Sequence, residues 1–271
     1  MGRLDGMVAI ITGAGSADVG SAFGIGQAIA ISFVREGASV VVVDKDADRA
    51  ENTLRDFDGL PGRGSCFTGD ITRSADCEAM VQAAVDSFGG LDILVNNAAI
   101  AKHAALTDTT EELYDDTLAV NLKGTFLACK YAMPVLVDGG GGSIVNIGSI
   151  VAIRDAGTGE TAYAASKAGQ IGLTVELAGA YGRHNVRVNA VLPGIIASPM
   201  LESVITKGID DVRSRLNLLG RMGSPWDVAN TVVFLCSEDA SYLTGVTLPV
   251  DGGATIAMPA SALRGPSPST G

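Results

Sequence analysis

The amino-acid sequence predicts a single-domain α/β fold, a doubly wound parallel sheet with helices on both faces. Three observations predict it. Short aliphatic runs alternate with helix-length segments along most of the 271 residues, the order that a parallel sheet with crossover helices requires. Several of those runs are apolar throughout, as strands covered on both faces must be. Finally, hydrophobic residues make up 47% of the chain and aromatics 5%, so the core is aliphatic. The 35 glycines have no collagen-like period and gather at turns between the runs.

The first strand is read over Met7–Thr12. It runs into the turn Thr12-Gly13-Ala14-Gly15-Ser16 and, by a longer path, into Gly24-Ile25-Gly26-Gln27-Ala28. Such a turn between strand and helix lets the backbone approach a pyrophosphate, whose charge then sits on the helix N-terminus. A helix over Gly26–Glu36 leads to the second strand, Ser39–Asp44. The carboxylate that ends it can accept hydrogen bonds from adenosine ribose hydroxyls and would repel a 2′-phosphate, which favours NAD over NADP. A strand-end turn residue is the alternative reading of Asp44.

Further strands are read at Gly64–Thr68, Ile93–Asn96, Ser143–Ile147, Arg187–Val191 and Thr247–Val250. Helices are read at Ser74–Phe88, Glu111–Val137, Ala162–Gly182 and Pro225–Ser237. Ser224-Pro225-Trp226-Asp227 has the signature of a helix start, with serine as N-cap and proline at the first helical position. The glycine run from Asp138 to Gly142 is a flexible turn ahead of the fifth strand. Beyond Gly253 the pattern dissolves, which predicts a domain over 1–253 and a flexible tail over 254–271.

A net charge of −11 argues against nucleic acid or an anionic membrane as partner. No apolar run reaches membrane-spanning length and the start lacks a signal-peptide core, so a cytoplasmic protein is expected. Cys66, Cys77, Cys129 and Cys236 are scattered without CxxC spacing, and they form no metal site with His103 or His184 on any recognisable spacing. Four reduced, mostly buried thiols are expected, and no metal.

Tyr163-Ala-Ala-Ser-Lys167 carries the clearest chemistry. On a helix this spacing stacks the two side chains on one face, with Cβ atoms roughly 5–6 Å apart. A free phenol has a pKa of about 10, and a neighbouring cation favours the phenolate. Alone, the pair could be two surface residues sharing a helix face. Other pieces fall in order around it: Asp70 and Ile71, Asn96-Asn97-Ala98-Ala99, Asn121, Ser149 after the fifth strand, and Pro193-Gly194-Ile195-Ile196.

In combination these motifs resemble the short-chain dehydrogenase/reductase family, from about Leu4 to Gly253. The resemblance implies a Rossmann-like fold and a catalytic set of Asn121, Ser149, Tyr163 and Lys167. Ser149 would hold the carbonyl or alcohol, and Tyr163 would exchange its proton. Lys167 would lower the tyrosine pKa and bond the nicotinamide ribose. Asn121 would hold the main chain or a water in a proton relay. Cofactor contacts are implied for Gly13, Ser16, Gly24, Ile25, Asp44, Asp70, Ile71, Asn97, Ala98, Tyr163, Lys167 and Ile196, and a homotetramer, or else a dimer, is implied.

Three departures qualify the resemblance. Seven residues, Ala17 to Phe23, separate Ser16 from Gly24. That lengthened loop resembles the family's enoyl-thioester reductase branch, while the Tyr163–Lys167 spacing matches its alcohol/ketone branch. Asp18, within the loop, is expected to face solvent. Ala99 stands where the family more often has glycine. The spacing from Ser149 to Tyr163 is one residue longer than usual. The segment Ile150–Ala162, Lys102-His103 and Ser198–Met222 are expected to form the substrate pocket. The sequence therefore points to an NAD-dependent secondary alcohol dehydrogenase or ketone reductase. A β-keto or enoyl acyl-thioester reductase is the alternative, and a catalytically idle dinucleotide-binding regulator is the reading from another class.

Overall fold

The structure, a computed structural model, describes residues 2–16, 23–102, 104–155, 159–202 and 217–257. Seven strands form one parallel sheet: β1 (Val8–Thr12), β2 (Ser39–Asp44), β3 (Arg63–Thr68), β4 (Ile93–Asn96), β5 (Gly142–Ile147), β6 (Val186–Pro193) and β7 (Thr247–Val250). Their order is β3-β2-β1-β4-β5-β6-β7. Each strand read from the sequence is present, with ends that agree or move by one or two residues.

The helices are α1 (Ile25–Arg35), α2 (Ala47–Arg55), α3 (Ser74–Phe88), α4 (Glu111–Leu118), α5 (Thr125–Asp138), α6 (Thr161–Tyr181), α7 (Pro199–Glu202) and α8 (Pro225–Cys236). Strand alternation sorts them into two layers. Ala9, Ile11, Val40, Val42 and Val95 face α1 and α8, whereas Val8, Ile10, Val41, Val43 and Leu94 face α3 and α5. Burying each valine, leucine or isoleucine contributes about 1.5–3 kcal/mol, and both faces of the central strands are covered in this way. From β1 the chain winds outward to β3, then returns to lay β4 on the other side of β1. That reversal leaves a crevice beyond the C-terminal ends of β1 and β4, where α/β sheets bind ligands.

Two elements differ from the sequence reading. Helix α2 was not expected, because it is short and mostly polar, with Ala50 and Thr53 buried and Leu54 half-buried on its narrow inner face; Asp46 caps it by accepting from the Arg49 N–H at 3.3 Å. The single helix expected over Glu111–Val137 is instead α4 and α5, joined by a π-helical turn over Ala119–Gly124. A π turn keeps the chain helical, so the length and composition of the segment do not reveal it. The start of α8 is as read: the Ser224 hydroxyl accepts from the Asp227 N–H at 3.3 Å, and the Asp227 carboxylate accepts from the Ser224 N–H at 2.7 Å.

The glycine turn before β5 has a steric cause. Gly140 and Gly141 hold φ of +94° and +136°, and a side chain at Gly141 would collide with Asn185. Cys77, Cys129 and Cys236 are buried and Cys66 is exposed, all four as free thiols. Residues 254–257 continue as a turn pinned by the Asp251 carboxylate, which accepts from the Thr255 N–H at 2.7 Å. The rest of the expected tail lies outside the described residues. Among the described residues no helix is long and apolar enough to cross a membrane, and no cluster is built to hold a metal.

Candidate active site

A cleft of about 900 Å³ opens at the C-terminal ends of β1, β2, β4 and β5. One end is made by the turn after β1. Gly13 has φ of +63°, and a Cβ there would stand 2.6 Å from the Ala98 Cα. Glycine is therefore required twice over, by conformation and by the closeness of the β4 end. Asn97 ties the two strand ends together, its amide donating to the carbonyls of Thr12 and Gly13 at 3.1 and 2.8 Å. The Thr12 hydroxyl accepts the Asn97 and Ala98 N–H groups at 3.1 and 3.2 Å. A side chain at Gly26 would collide with Asn97 and the Gly13 carbonyl, so the first turn of α1 presses against the same junction. Gly24 caps α1, and Gly24, Ile25 and Gly26 line the cleft.

Asp44 ends β2 at this side of the cleft. Its carboxylate accepts from the Gly15 N–H at 3.1 Å and the Asp46 N–H at 3.2 Å, which fixes its orientation. Ser16 lines the cleft, its N–H donating to the Arg49 carbonyl at 2.9 Å. Lys45 and Arg49 also reach this end of the cleft; the sequence reading did not anticipate them. The Asp70 carboxylate accepts from the Thr72 N–H and hydroxyl at 2.9 and 2.8 Å, bonds that hold it below the usual carboxylate range. Ile71 lines the cleft and packs on Gly124, where a Cβ would come within 2.6 Å of its Cδ1.

The other end carries the hydroxyls. Ser149 follows β5 and caps a short 3₁₀ turn, its Oγ accepting from the Val151 N–H at 3.4 Å. Its side chain also lies close enough to the Tyr163 hydroxyl to favour the ionised phenol. Tyr163 stands in the first turn of α6 and Lys167 one turn later, fully buried. Lys167 Nζ lies 5.6 Å from the centre of the Tyr163 ring. It donates to the Ile147 carbonyl at 2.7 Å and to Gln170 Oε1 at 3.2 Å. Ile196, held against Gly223, is buried at the far wall.

One expectation needs correction here. Burial pushes the Tyr163 phenol up to about 12, with the charge of Glu160 adding to the rise and the neighbouring Ser149 side chain opposing it. Lys167 does not draw it down: burial lowers the lysine itself to about 7, and its hydrogen bonds run to Ile147 and Gln170. Asn121 is fully buried behind the cleft, and of its two implied partners, the main chain or a water, it holds the main chain. Its side chain accepts from the Ile100 N–H and donates to the Ile100 carbonyl, both at 2.9 Å, and donates to Ser166 Oγ at 3.0 Å. Asn121 thus positions the main chain after β4 and touches no reacting group itself.

Comparison with known proteins decides the family. A family model described as enoyl-(acyl carrier protein) reductase matches residues 20–255. The 3-oxoacyl-[acyl-carrier-protein] reductase of Thermotoga maritima is 39% identical over 94% of this chain and 100% of its own. The (3R)-3-hydroxyacyl-CoA dehydrogenase of Mus musculus is 41% identical over 93% of this chain and 97% of its own. A Burkholderia xenovorans structure described as a short-chain dehydrogenase/reductase superposes with a TM-score of 0.90 at 38% identity, covering 96% of this chain and 100% of that one. The chain belongs to the short-chain dehydrogenase/reductase family. A 7α-hydroxysteroid dehydrogenase solved with NADH and 7-oxo glycochenodeoxycholic acid is also similar, with a TM-score of 0.86 at 37% identity over 93% of this chain and 95% of that one.

In this short-chain dehydrogenase/reductase the expected dinucleotide fits the residues present. The N-terminus of α1 at Gly24–Gly26 and the Asp44 carboxylate line one cleft, main-chain donors and a fixed acceptor that suit a pyrophosphate and ribose hydroxyls. The expected substrate wall is present in part: Ile150, Val151, Arg154, Asp155 and Glu160 line the cleft from one side, and Ser198, Pro199 and Leu201 from another. Lys102 instead pairs with Asp116 at 3.8 Å on the surface. His103, Asp18 and most of the lengthened loop lie outside the described residues.

Proposed function

We propose that this short-chain dehydrogenase/reductase interconverts a secondary alcohol and a ketone by hydride transfer to or from NAD. The observation that carries this reading is that Ser149, Tyr163 and Lys167 line the same cleft as the glycine turn and Asp44. Bound at the glycine turn, the nicotinamide dinucleotide supplies the hydride donor or acceptor. The protein must then manage one proton at the substrate oxygen. Ser149 orients that oxygen, and Tyr163 gives or takes the proton at its hydroxyl. Lys167 braces the tyrosine face, and Asn121 fixes the Ile100 main chain that lines the cleft beside them. Asp44 supports NAD over NADP, since a fixed carboxylate there repels a 2′-phosphate. Lys45 and Arg49 support the opposite choice, but Asp44 is already pinned by two main-chain N–H groups at the ribose end.

For the substrate, the relatives named for 3-oxoacyl and 3-hydroxyacyl thioesters support a 3-hydroxyacyl/3-oxoacyl thioester as the first class to test. Those thioesters are themselves a secondary alcohol and a ketone, so the chemistry is the same. A net charge of −11 fits an acidic carrier protein poorly as the thioester's bearer. The steroid dehydrogenase neighbour supports simple cyclic alcohols as the competing class. The deciding experiment is a hydride-transfer screen with NAD, NADH and NADPH. It covers secondary alcohols, 3-hydroxybutyryl and acetoacetyl thioesters, and crotonyl thioester. Turnover of the 3-hydroxy or 3-oxo pair with NAD or NADH is expected. Turnover of crotonyl thioester alone would replace the alcohol/ketone reading with an enoyl one, and no turnover beside intact NAD binding would favour the idle regulator.

A further inference from the structure

Gln170 lies on α6 one turn beyond Lys167 and is fully buried. Its amide oxygen accepts from Lys167 Nζ at 3.2 Å. Its amide nitrogen donates to the Asn121 main-chain carbonyl and to Thr125 Oγ1, both at 2.8 Å. Both N–H groups are used, and reversing the amide would set its NH₂ against the ammonium and its oxygen against a carbonyl. The network therefore fixes the amide in one orientation.

The π turn supplies the acceptor. At its end the Thr125 N–H turns to the Leu122 carbonyl. The Asn121 carbonyl is then met by side chains, the Thr125 hydroxyl at 2.8 Å and Gln170. π turns recur at functional sites, and here the irregularity gives Gln170 its anchor.

We propose that Gln170 is a positioning residue: its amide spans Lys167 Nζ and the Asn121 carbonyl and holds the lysine beneath Tyr163. A primary amide has no proton that titrates near neutral pH, so Gln170 braces the lysine and exchanges no proton with it. This inference rests on the proposed reaction for its kinetic part, but its structural part can be read without turnover.

The chain has six lysines, so Lys167 can be followed by NMR with lysine labelled at Cε, its signal assigned by its loss in Lys167→Met. The groups facing Nζ are the Tyr163 ring, which Glu160 acts upon, and the neutral carbonyl and amide oxygens of Ile147 and Gln170. Gln170→Glu sets a carboxylate against the ammonium and is expected to raise the Lys167 midpoint by about one unit or more. Gln170→Met removes the acceptor and is expected to lower it. Gln170→Asn, one methylene too short to span both partners, should behave like Gln170→Met if that variant fails to fold. Displacing Lys167 is expected to reduce kcat about tenfold or more with a smaller change in KM, and the pH profile should follow the NMR midpoint. An unchanged Lys167 titration and a wild-type pH profile in Gln170→Met and Gln170→Asn would overturn the proposal. If the wild type turns over no substrate, the functional reading fails and the NMR titration still decides Gln170.

Discussion

At the scale of single residues, the chemistry rests on one hydroxyl pair and one buried amine. Tyr163→Phe keeps the ring over Lys167 and removes the oxygen that carries the proton. Turnover is expected to fall by about 10²–10⁴-fold with NAD affinity within about twofold by fluorescence titration; substantial remaining activity would remove Tyr163 from the mechanism. Lys167 also makes a prediction about stability. Its folded pKa of about 7 lies below the unfolded value, which is about 10.4. Between those values the unfolded chain binds one more proton than the fold does, so stability from this residue rises with pH across that window and is lowest below it. Lys167→Met is expected to flatten the pH dependence of stability from about 7 to about 10.4; an unchanged slope in denaturant titrations would count against the lowered Lys167 midpoint. Asp44→Ala is expected to relax the preference against NADP by about tenfold or more, with part of the change offset by the lost bonds to Gly15 and Asp46. A wild-type enzyme that already prefers NADP would mean that Lys45 and Arg49 outweigh the carboxylate. Much of this was legible in the sequence: Tyr163 and Lys167 announce themselves by local spacing, and Ser149 through the family resemblance. Gln170 did not, since its role depends on a turn 45–49 residues away in the chain. Nor does spacing alone disclose that the amine turns toward Ile147 rather than toward the phenol oxygen.

At the scale of elements, the cleft is a product of close approaches between strand ends. The turn after β1 touches the end of β4 so tightly that Gly13→Ala is both strained and obstructed. A left-handed alanine costs about 1–2 kcal/mol, and the contact with Ala98 adds to that. We expect a lower Tm and an NAD affinity reduced by more than about tenfold; calorimetry with wild-type values would contradict the cradle described above. The strands and most helices were readable because apolar runs and their periods are local signals. Helix α2 was not, since it is short and mostly polar. The break between α4 and α5 was hidden for a different reason. Its partners are tertiary: Gln170 and Thr125 both donate to the Asn121 carbonyl, while the Asn121 side chain holds Ile100.

At the scale of the whole molecule, the winding of the sheet puts every proposed site element at one end. Strand order reverses beside β1, so the turn after β1 and the ends of β4 and β5 share a single crevice, and α6 brings Tyr163 to its rim. The opposite problem is surface. Phe126 on α5 and Val175 on α6 remain 49% and 55% exposed, and Leu218, Leu219 and Leu248 are 63%, 67% and 36% exposed near β7. Apolar side chains left open on two helices and on the edge strand are suited to burial between copies of the same chain. Two such surfaces, one on the helices and one at β7, can build a tetramer by closed symmetry, whereas one alone gives a dimer. We expect light scattering after size exclusion to report a tetramer. Phe126→Glu with Val175→Glu should then leave a smaller species that retains the fold by circular dichroism. A monomer for the unmodified chain at micromolar concentration would defeat this expectation, and a wild-type tetramer that survives both substitutions would place the association on surfaces other than the α5 and α6 faces.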